Sequence, residues 1–300
     1  MNNIIKPKEY EYREICNLMY TLKGKYPFIE LRSFGKSVLG KEIIGMEIGK
    51  GGSKVLFAGA FHGMERLTAL ILIKFAAVLS EAMSTRGDCA GVNARQGLLG
   101  KSLIIIPVVN PDGYDISLKG TAGGGNQAAK IKRLCGGDFH RWNANARGVD
   151  INHNFDAGWK QLREIEQEMG IYGPAPRRFG GYAPESEPET VALTDLCKNE
   201  DISHVLAFHS QGEIIYWNYG EHTPEKAKKM AKIMAASSGY ALEEPMGISS
   251  HGGFKDWFIK EFSKPGFTIE IGRGENPLDP GELEAIYARV EEMMMLAAIM

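Results

Sequence analysis

The stretch Phe57-Ala58-Gly59-Ala60-Phe61-His62-Gly63-Met64-Glu65 decides the fold. An apolar run, Val55 to Phe61, leads into a histidine, and a long apolar helical pattern starts at Leu67. This order predicts a strand, a turn and a helix, with His62 and Glu65 at the carboxyl end of the strand. Ligands bind at that end of the strands in open α/β sheets. Because imidazole and carboxylate groups are good zinc ligands, the stretch predicts part of a metal site.

The composition sets the class of protein. The 300 residues are 44% apolar and 24% charged, enough for one large α/β domain or two small ones. A net charge of -2 gives no basic bias, so we expect no nucleic-acid or membrane partner. Four scattered cysteines argue against a disulfide framework or a cysteine zinc site. No apolar signal core and no bilayer-length apolar run is seen, so we expect a soluble cytoplasmic protein. The oligomeric state stays open.

Strand and helix signals alternate along the chain. Strands are predicted in a hairpin over 28–48 and at 55–61, 103–109, 202–208, 214–217 and 266–271. Helices are predicted at 8–24, 66–83, 159–170, 186–198, 223–237, 254–262 and 280–300. We see no repeat and no interdomain linker. The pattern predicts a single α/β domain over 1–300, with a central mixed sheet flanked by helices.

Two segments are predicted to be loops over the site. Residues 115–147 are rich in glycine, asparagine and basic residues, and 172–187 holds several prolines and glycines. Asn110-Pro111-Asp112-Gly113 is a strong turn signal just before the first of these segments. Long loops in compact domains are usually functional or mobile. Residues 1–30 are predicted to form an N-terminal helix and lead-in.

Two further strands end in residues that suit a metal site. His209 follows the strand 202–208, and Glu270 follows the apolar residues Phe267 and Ile269. Two histidines and one carboxylate form an open zinc site with a position left for water. Glu270 then suits the general base that takes the proton of that water. Taken singly, the His-x-x-Glu spacing arises by chance, His209 fits a core histidine, and Glu270 fits a buried ion pair.

Together with other motifs, these residues resemble the zinc carboxypeptidases (funnelins) from about residue 34 to the C-terminus. The matching motifs are His62-Gly63-Met64-Glu65, Asn110-Pro111-Asp112-Gly113-Tyr114, Gly148-Val149-Asp150-Ile151-Asn152-His153-Asn154-Phe155, Ser186-Glu187-Pro188-Glu189-Thr190, His209-Ser210 and Thr268-Ile269-Glu270. The resemblance implies that fold, a zinc ion and peptidase activity. It implies that His62, Glu65 and His209 bind zinc and that Glu270 is the general base. It also implies that Asn152 helps to hold a substrate carboxylate, and Ser210 is a further candidate contact.

Two departures from the family pattern concern the substrate. His153 stands where the family has the arginine that binds a C-terminal carboxylate through two hydrogen bonds. A histidine cannot form the same bidentate contact. Asn143 stands where the family has its carbonyl-polarising arginine. Arg141 or Arg147 could substitute, or zinc and Asn143 could suffice. The ordinary alternative is that both arginines are solvated loop charges.

Lys255 is the third departure. It lies in Gly252-Gly253-Phe254-Lys255-Asp256-Trp257, where the digestive enzymes place the residue at the base of the specificity pocket. A lysine there suits a leaving-side residue with an extra carboxylate, although most helix lysines are simply exposed. With His153, this segment resembles the subgroup of γ-D-glutamyl-meso-diaminopimelate peptidases. The resemblance implies a peptide or muropeptide substrate from peptidoglycan. Because no leader and no wall-binding repeat is visible, we expect soluble muropeptides inside the cell, as in recycling or sporulation.

Other functions stay open at the level of the sequence. A metallocarboxypeptidase or an N-acyl amino acid deacylase of the same fold would carry the same ligands and base. A non-catalytic muropeptide-binding protein is the alternative from another class, and the intact set of ligands and Glu270 argues against it.

Overall fold

Ten strands and ten α-helices make up the computed structural model, which describes residues 5–300. The strands are β1 (Glu30–Lys36), β2 (Glu42–Gly49), β3 (Ser53–Gly59), β4 (Asp88–Cys89), β5 (Val92–Asn93), β6 (Lys101–Ile106), β7 (Ile202–Ser210), β8 (Ile214–Tyr216), β9 (Ala241–Glu243) and β10 (Gly266–Ile271). The helices are α1 (Tyr12–Lys25), α2 (Arg66–Thr85), α3 (Ala94–Gly97), α4 (Pro111–Lys119), α5 (Ala128–Cys135), α6 (Trp159–Glu168), α7 (Pro188–Asn199), α8 (Glu225–Ser238), α9 (Phe254–Phe262) and α10 (Leu283–Ile299).

Eight of the strands form one mixed sheet in the order β1-β2-β6-β3-β7-β10-β8-β9. The middle of the sheet is parallel, since β3 pairs with β6 and β7, and β7 pairs with β10. The β1–β2 hairpin and β8 add antiparallel pairs on either side. The carboxyl ends of β3, β7 and β10 therefore meet at one edge, where Glu270 lies in register with His209. The predicted single domain with a mixed sheet is confirmed.

Apolar strands and helices on both faces form the core. The central strands are almost fully buried, which explains their continuous apolar runs. α2 is long and apolar enough to cross a membrane, but 67% of that stretch is buried inside the fold. It packs against β3 and α10, so it is a core helix. Lys74 and other polar residues interrupt its apolar run, so the sequence predicted the helix at 66–83 but not a stretch apolar enough to span a membrane. All four cysteines are free.

The prediction of an uninterrupted loop over 115–147 is wrong. Asn110 caps α4, its side-chain oxygen accepting from Gly113 N at 2.8 Å, and the helix runs to Lys119. A second helix, α5, follows after two short 3-10 turns. The Asn-Pro pair therefore begins a helix, with proline at its first position, instead of closing a turn. A small core stabilises the segment; it consists of Ile116, Ile131, Trp142, Ala144 and Ala146.

Glu189, in the first turn of α7, is a fully buried carboxyl that joins three parts of the chain. It accepts from Val38 N beside the β1–β2 turn and from Asn145 Nδ2, each at 3.1 Å. Burial outweighs these hydrogen bonds and raises the pKa of Glu189 from 4.5 to about 7. The folded protein thus keeps a proton that the unfolded chain releases.

We expect the free energy of unfolding to fall as pH rises from about 4.5 through about 7, because the folded state binds more protons in that window. The contribution of Glu189 is on the order of 3 kcal/mol. Glu189→Gln should remove this part of the pH dependence, measured by urea unfolding at a series of pH values. Glu164→Gln, at an exposed position on α6, is the matched control. Parallel pH profiles for wild type and Glu189→Gln would contradict the assignment.

Candidate active site

One buried asparagine fixes the loop that carries the first two candidate ligands. Asn110 Nδ2 donates to Phe61 O at 3.0 Å and to Asn143 O at 3.1 Å, while its Oδ1 caps α4. The side chain therefore links the end of β3, the start of α4 and the segment around Asn143. With the asparagine fully buried, leaving any of these groups unpaired would cost about 1–3 kcal/mol.

Gly63 lets two of these segments approach each other closely. A Cβ atom at this position would lie 2.2 Å from Gly113 O and 2.7 Å from Trp142 O, so only glycine fits. Its amide donates to Asn143 O at 3.1 Å. On the other side of the turn, Thr68 Oγ1 accepts from Ala60 N and donates to Glu65 O. The turn between β3 and α2 is thereby held from both sides.

The three predicted metal ligands converge. His62 Nδ1 lies 2.7 Å from Glu65 Oε1, and His209 Nδ1 lies 3.0 Å from Glu65 Oε2. The two Nδ1 atoms are 3.3 Å apart. The ligand atoms of the three residues all lie within 4.8 Å of one another. His62 and Glu65 come from the turn after β3, and His209 comes from β7. The structure thus brings together residues that are 147 positions apart in sequence.

The chemistry of this cluster fits a cation. His62 faces a carboxylate on each side, because its Nε2 lies 3.1 Å from Asp150 Oδ1. Burial lowers the pKa of His62, but Glu65 and Asp150 outweigh it and hold that pKa well above its usual value. Burial raises the pKa of Glu65, yet the two histidines outweigh it and lower the pKa to about 2. The site therefore demands positive charge, which a divalent metal supplies between two imidazoles and a carboxylate.

Asp150 is a functional residue that the sequence reasoning did not single out. Its carboxylate is buried and accepts from Arg178 N at 3.0 Å and from Asn152 N at 3.2 Å, besides facing His62 Nε2. A carboxylate on the outer nitrogen of a metal-binding histidine fixes its tautomer and orientation. The Gly-Val-Asp motif contained this residue, but its role depends on a contact across 88 positions.

Glu270 lies on β10 beside the three candidate ligands. Burial and the nearby Glu65 carboxylate outweigh the effect of His62 and raise the pKa of Glu270 to about 8. A divalent cation in the cluster would favour the ionised form and lower that pKa. Such a carboxyl, close to a metal and poised near neutral pH, suits proton transfer.

A single cavity joins the cluster to several predicted substrate contacts. Its walls contain His62, His209, Glu270, Asn152, His153 and Lys255. They also contain residues that were not predicted as site residues: Tyr216, Pro245, Ile248, Ser249, His251, Gly253, Asp256 and Thr268. Most of these come from β8 and the 245–253 segment, whose path over the site depends on tertiary packing. Gly253, Asp256 and Thr268 stand in the sequence motifs that contain Lys255 or Glu270, and the other five residues gave no signal in the sequence.

Lys255 is buried in the wall of this cavity and is not the exposed helix lysine of the ordinary alternative. Only 3% of it is accessible. Its Nζ donates to Asn218 O at 2.8 Å and contacts the Asp256 carboxylate. Asp256 is also buried, so the two side chains form an ion pair facing the cavity. A buried pair of this kind is costly unless its charges are well satisfied.

Four other candidates lie outside the cavity walls. Arg141 is exposed, and Arg147 is half exposed and paired with Glu187 at 3.4 Å. Ser210 Oγ donates to Asn276 Oδ1 at 2.7 Å. Asn143 is buried against the turn between β3 and α2, where its backbone oxygen accepts from Gly63 N and Asn110 Nδ2. Neither arginine lies in the walls of the cavity that contains the cluster.

We expect Asp150→Asn to weaken zinc binding by about 10- to 100-fold, because the charge that orients His62 is lost while the shape is kept. The dissociation constant should be measured by competition with a chromophoric chelator. Asp195→Asn, at an exposed position on α7, is the matched control and should bind zinc like the wild type. An unchanged affinity in Asp150→Asn would show that Asp150 does not support the ligand.

Comparison with known proteins agrees with this geometry. The family model for zinc carboxypeptidases matches residues 15–294. The chain is 34% identical to gamma-D-glutamyl-L-diamino acid endopeptidase 1 of Lysinibacillus sphaericus, over 93% of this chain and 70% of that protein.

Solved structures show the same fold. Bovine thrombin-activatable fibrinolysis inhibitor, bound to a tick carboxypeptidase inhibitor, matches with a TM-score of 0.75 at 18% identity, over 97% of both chains. Murein-tripeptide amidase from Escherichia coli O157 matches with a TM-score of 0.54 at 20% identity, over 89% of this chain and 91% of that chain. The chain therefore belongs to the zinc carboxypeptidase family, whose members are zinc-dependent peptidases.

Proposed function

We propose that this chain hydrolyses the γ-D-glutamyl–meso-diaminopimelate bond of peptidoglycan stem peptides. The observation that carries the proposal is the buried Lys255–Asp256 pair in the same cavity as Glu270 and the metal ligands. The far end of meso-diaminopimelate carries both an ammonium and a carboxylate group. Lys255 suits the carboxylate and Asp256 suits the ammonium, so the pair matches both charges of that end. The named activity of the Lysinibacillus sphaericus relative also supports it.

The residues of the cluster have separate roles in this proposal. His62, Glu65 and His209 hold zinc, and Asp150 keeps His62 in position. Zinc bound there would supply a Lewis acid that polarises a carbonyl group and makes water more acidic. Glu270 takes a proton from the attacking water and returns it to the departing amine of the diamino acid. Phe61 stacks on the His209 ring, with centroids 5.0 Å apart, and helps to exclude water from that side.

The bond that is cut tests the function directly. Zinc-loaded protein should convert L-Ala-γ-D-Glu-meso-diaminopimelate into L-Ala-D-Glu and free meso-diaminopimelate, identified by mass spectrometry. Glu270→Gln should retain zinc but lose about 100- to 10,000-fold in turnover, because it cannot accept the proton. Glu261→Gln, at an exposed position on α9, is the matched control. Faster cleavage of a hippuryl-type substrate would favour the carboxypeptidase alternative, and near-normal activity of Glu270→Gln would reject the base.

Lys255→Ala tests the charge-matching pocket. The change should raise KM for the diaminopimelate substrate by about 10- to 100-fold, since one charge-assisted hydrogen bond is lost. The same substrate with lysine in place of diaminopimelate lacks the distal carboxylate and should be affected much less. Lys260→Ala is the control, because Lys260 lies on the same helix and pairs with Asp156 outside the cavity. An equal effect on both substrates would exclude Lys255 from recognition of that carboxylate.

A further inference from the structure

We propose that Asn152 and His153 recognise an amide, and not a free carboxylate, at the carboxyl group beside the leaving amine. This inference rests on the proposed function, because it concerns the same substrate in the same cavity. With this recognition, the enzyme would prefer a diamino acid whose carboxyl group beside the leaving amine is joined to a further residue or capped as a carboxamide. The pair thus determines specificity, and Glu166 acts through it as a positioning residue.

The hydrogen bonds of His153 determine which of its nitrogens carries a proton. Nδ1 lies 2.9 Å from Glu166 Oε1 and 3.2 Å from Arg178 O. Both partners are acceptors, so Nδ1 must carry the hydrogen. In the neutral ring Nε2 is then a bare acceptor. Nε2 has no hydrogen-bond partner among residues 5–300, and the His153 ring lines the cavity.

The charge on Glu166 is already balanced by another residue. Glu166 is fully buried and contacts the Arg163 guanidinium, and both of its carboxylate oxygens accept from Gly180 N at 3.1 Å. His153 is therefore not needed as the counterion. Burial also lowers the pKa of His153 below its usual value, which favours the neutral ring. A neutral imidazole with a bare Nε2 repels a carboxylate and accepts from an N–H group.

Asn152 presents the complementary group. Its Oδ1 accepts from Phe254 N at 3.0 Å. Because a backbone N–H must face an acceptor, this contact fixes the orientation of the side-chain amide. Nδ2 is then the atom left to donate, and it has no acceptor among residues 5–300.

The two residues together offer one donor and one acceptor. A peptide or carboxamide group presents a C=O for Asn152 Nδ2 and an N–H for His153 Nε2. A carboxylate presents only acceptors, and it would leave His153 Nε2 facing a negative oxygen without a proton between them. Sites that hydrogen-bond a substrate group discriminate strongly against an analogue that leaves them unpaired. The expected preference for the amide is at least about tenfold in kcat/KM.

Three substrates of the zinc-loaded protein test this preference. Each contains γ-D-Glu-meso-diaminopimelate, and the carboxyl beside the scissile amine is free, capped as a carboxamide, or extended by D-alanine. We expect both amide forms to be cut at least about tenfold faster in kcat/KM than the free acid. Comparing the D-alanine substrate with the carboxamide substrate shows whether a further residue adds to the effect of the amide group itself. An equal or faster reaction of the free acid would overturn the inference while leaving the proposed function intact. Failure to cut all three would overturn both.

Variants separate recognition from a general structural defect, because the measured quantity is the ratio between substrates. Glu166→Gln can donate to His153 Nδ1, which moves the ring hydrogen to Nε2, and should reduce the ratio of amide to free acid. His153→Arg provides a guanidinium group, which can bind the free carboxylate through two hydrogen bonds, and should reverse that ratio. Glu164→Gln, exposed on the same helix as Glu166, should leave it unchanged.

The tautomer itself can be observed. The ¹⁵N chemical shifts of His153 should show a protonated Nδ1 and a bare Nε2 in the wild type, and the opposite in Glu166→Gln. Wild-type shifts with the proton on Nε2, or variant ratios equal to the wild type, would contradict the assignment.

Discussion

The hydrogen bonds of Asn110 are the constraint on which the site depends. This side chain links the end of β3, the first turn of α4 and the segment around Asn143, all within the core. Because Gly63 packs against the same two segments, the turn with His62 and Glu65 has little freedom. Strand pairing then places His209 and Glu270 opposite it, in register on neighbouring strands. The positions of the candidate ligands therefore follow from hydrogen bonding and strand pairing within the fold.

Charge balance is the second principle of the site. Glu65 and Asp150 surround His62 with negative charge, and the cluster needs a cation to compensate it. Two other buried ion pairs lie in or behind the cavity wall: Lys255 pairs with Asp256 in the wall, and Glu166, which contacts His153, pairs with Arg163. These pairs differ in what they offer a substrate. The first presents both signs of charge to the cavity, while the second balances the Glu166 charge without His153, whose pKa burial lowers.

Where the signal was local, the sequence predicted which side chains the fold brings together. His62, Glu65, His209 and Glu270 each follow or occupy an apolar strand, and the parallel order of those strands brings their ends together. The prediction failed where the answer depended on tertiary packing. The 115–147 segment contains the end of α4, the helix α5 and a small core around Trp142, and its Arg141 and Arg147 lie outside the cavity walls. Asp150 contacts His62 across 88 positions and Glu166 contacts His153 across 13, and a pattern of residue types does not reveal such contacts.

Metal coordination tests the account most directly. Anomalous diffraction at the zinc edge, from crystals grown with zinc, should locate the ion and its ligands. We expect one zinc ion held by Nδ1 of His62, Nδ1 of His209 and the Glu65 carboxylate, at about 2.0–2.2 Å. His62 Nε2 should still face Asp150. An ion held by Nε2 of either histidine, or an ion away from these three side chains, would contradict the account.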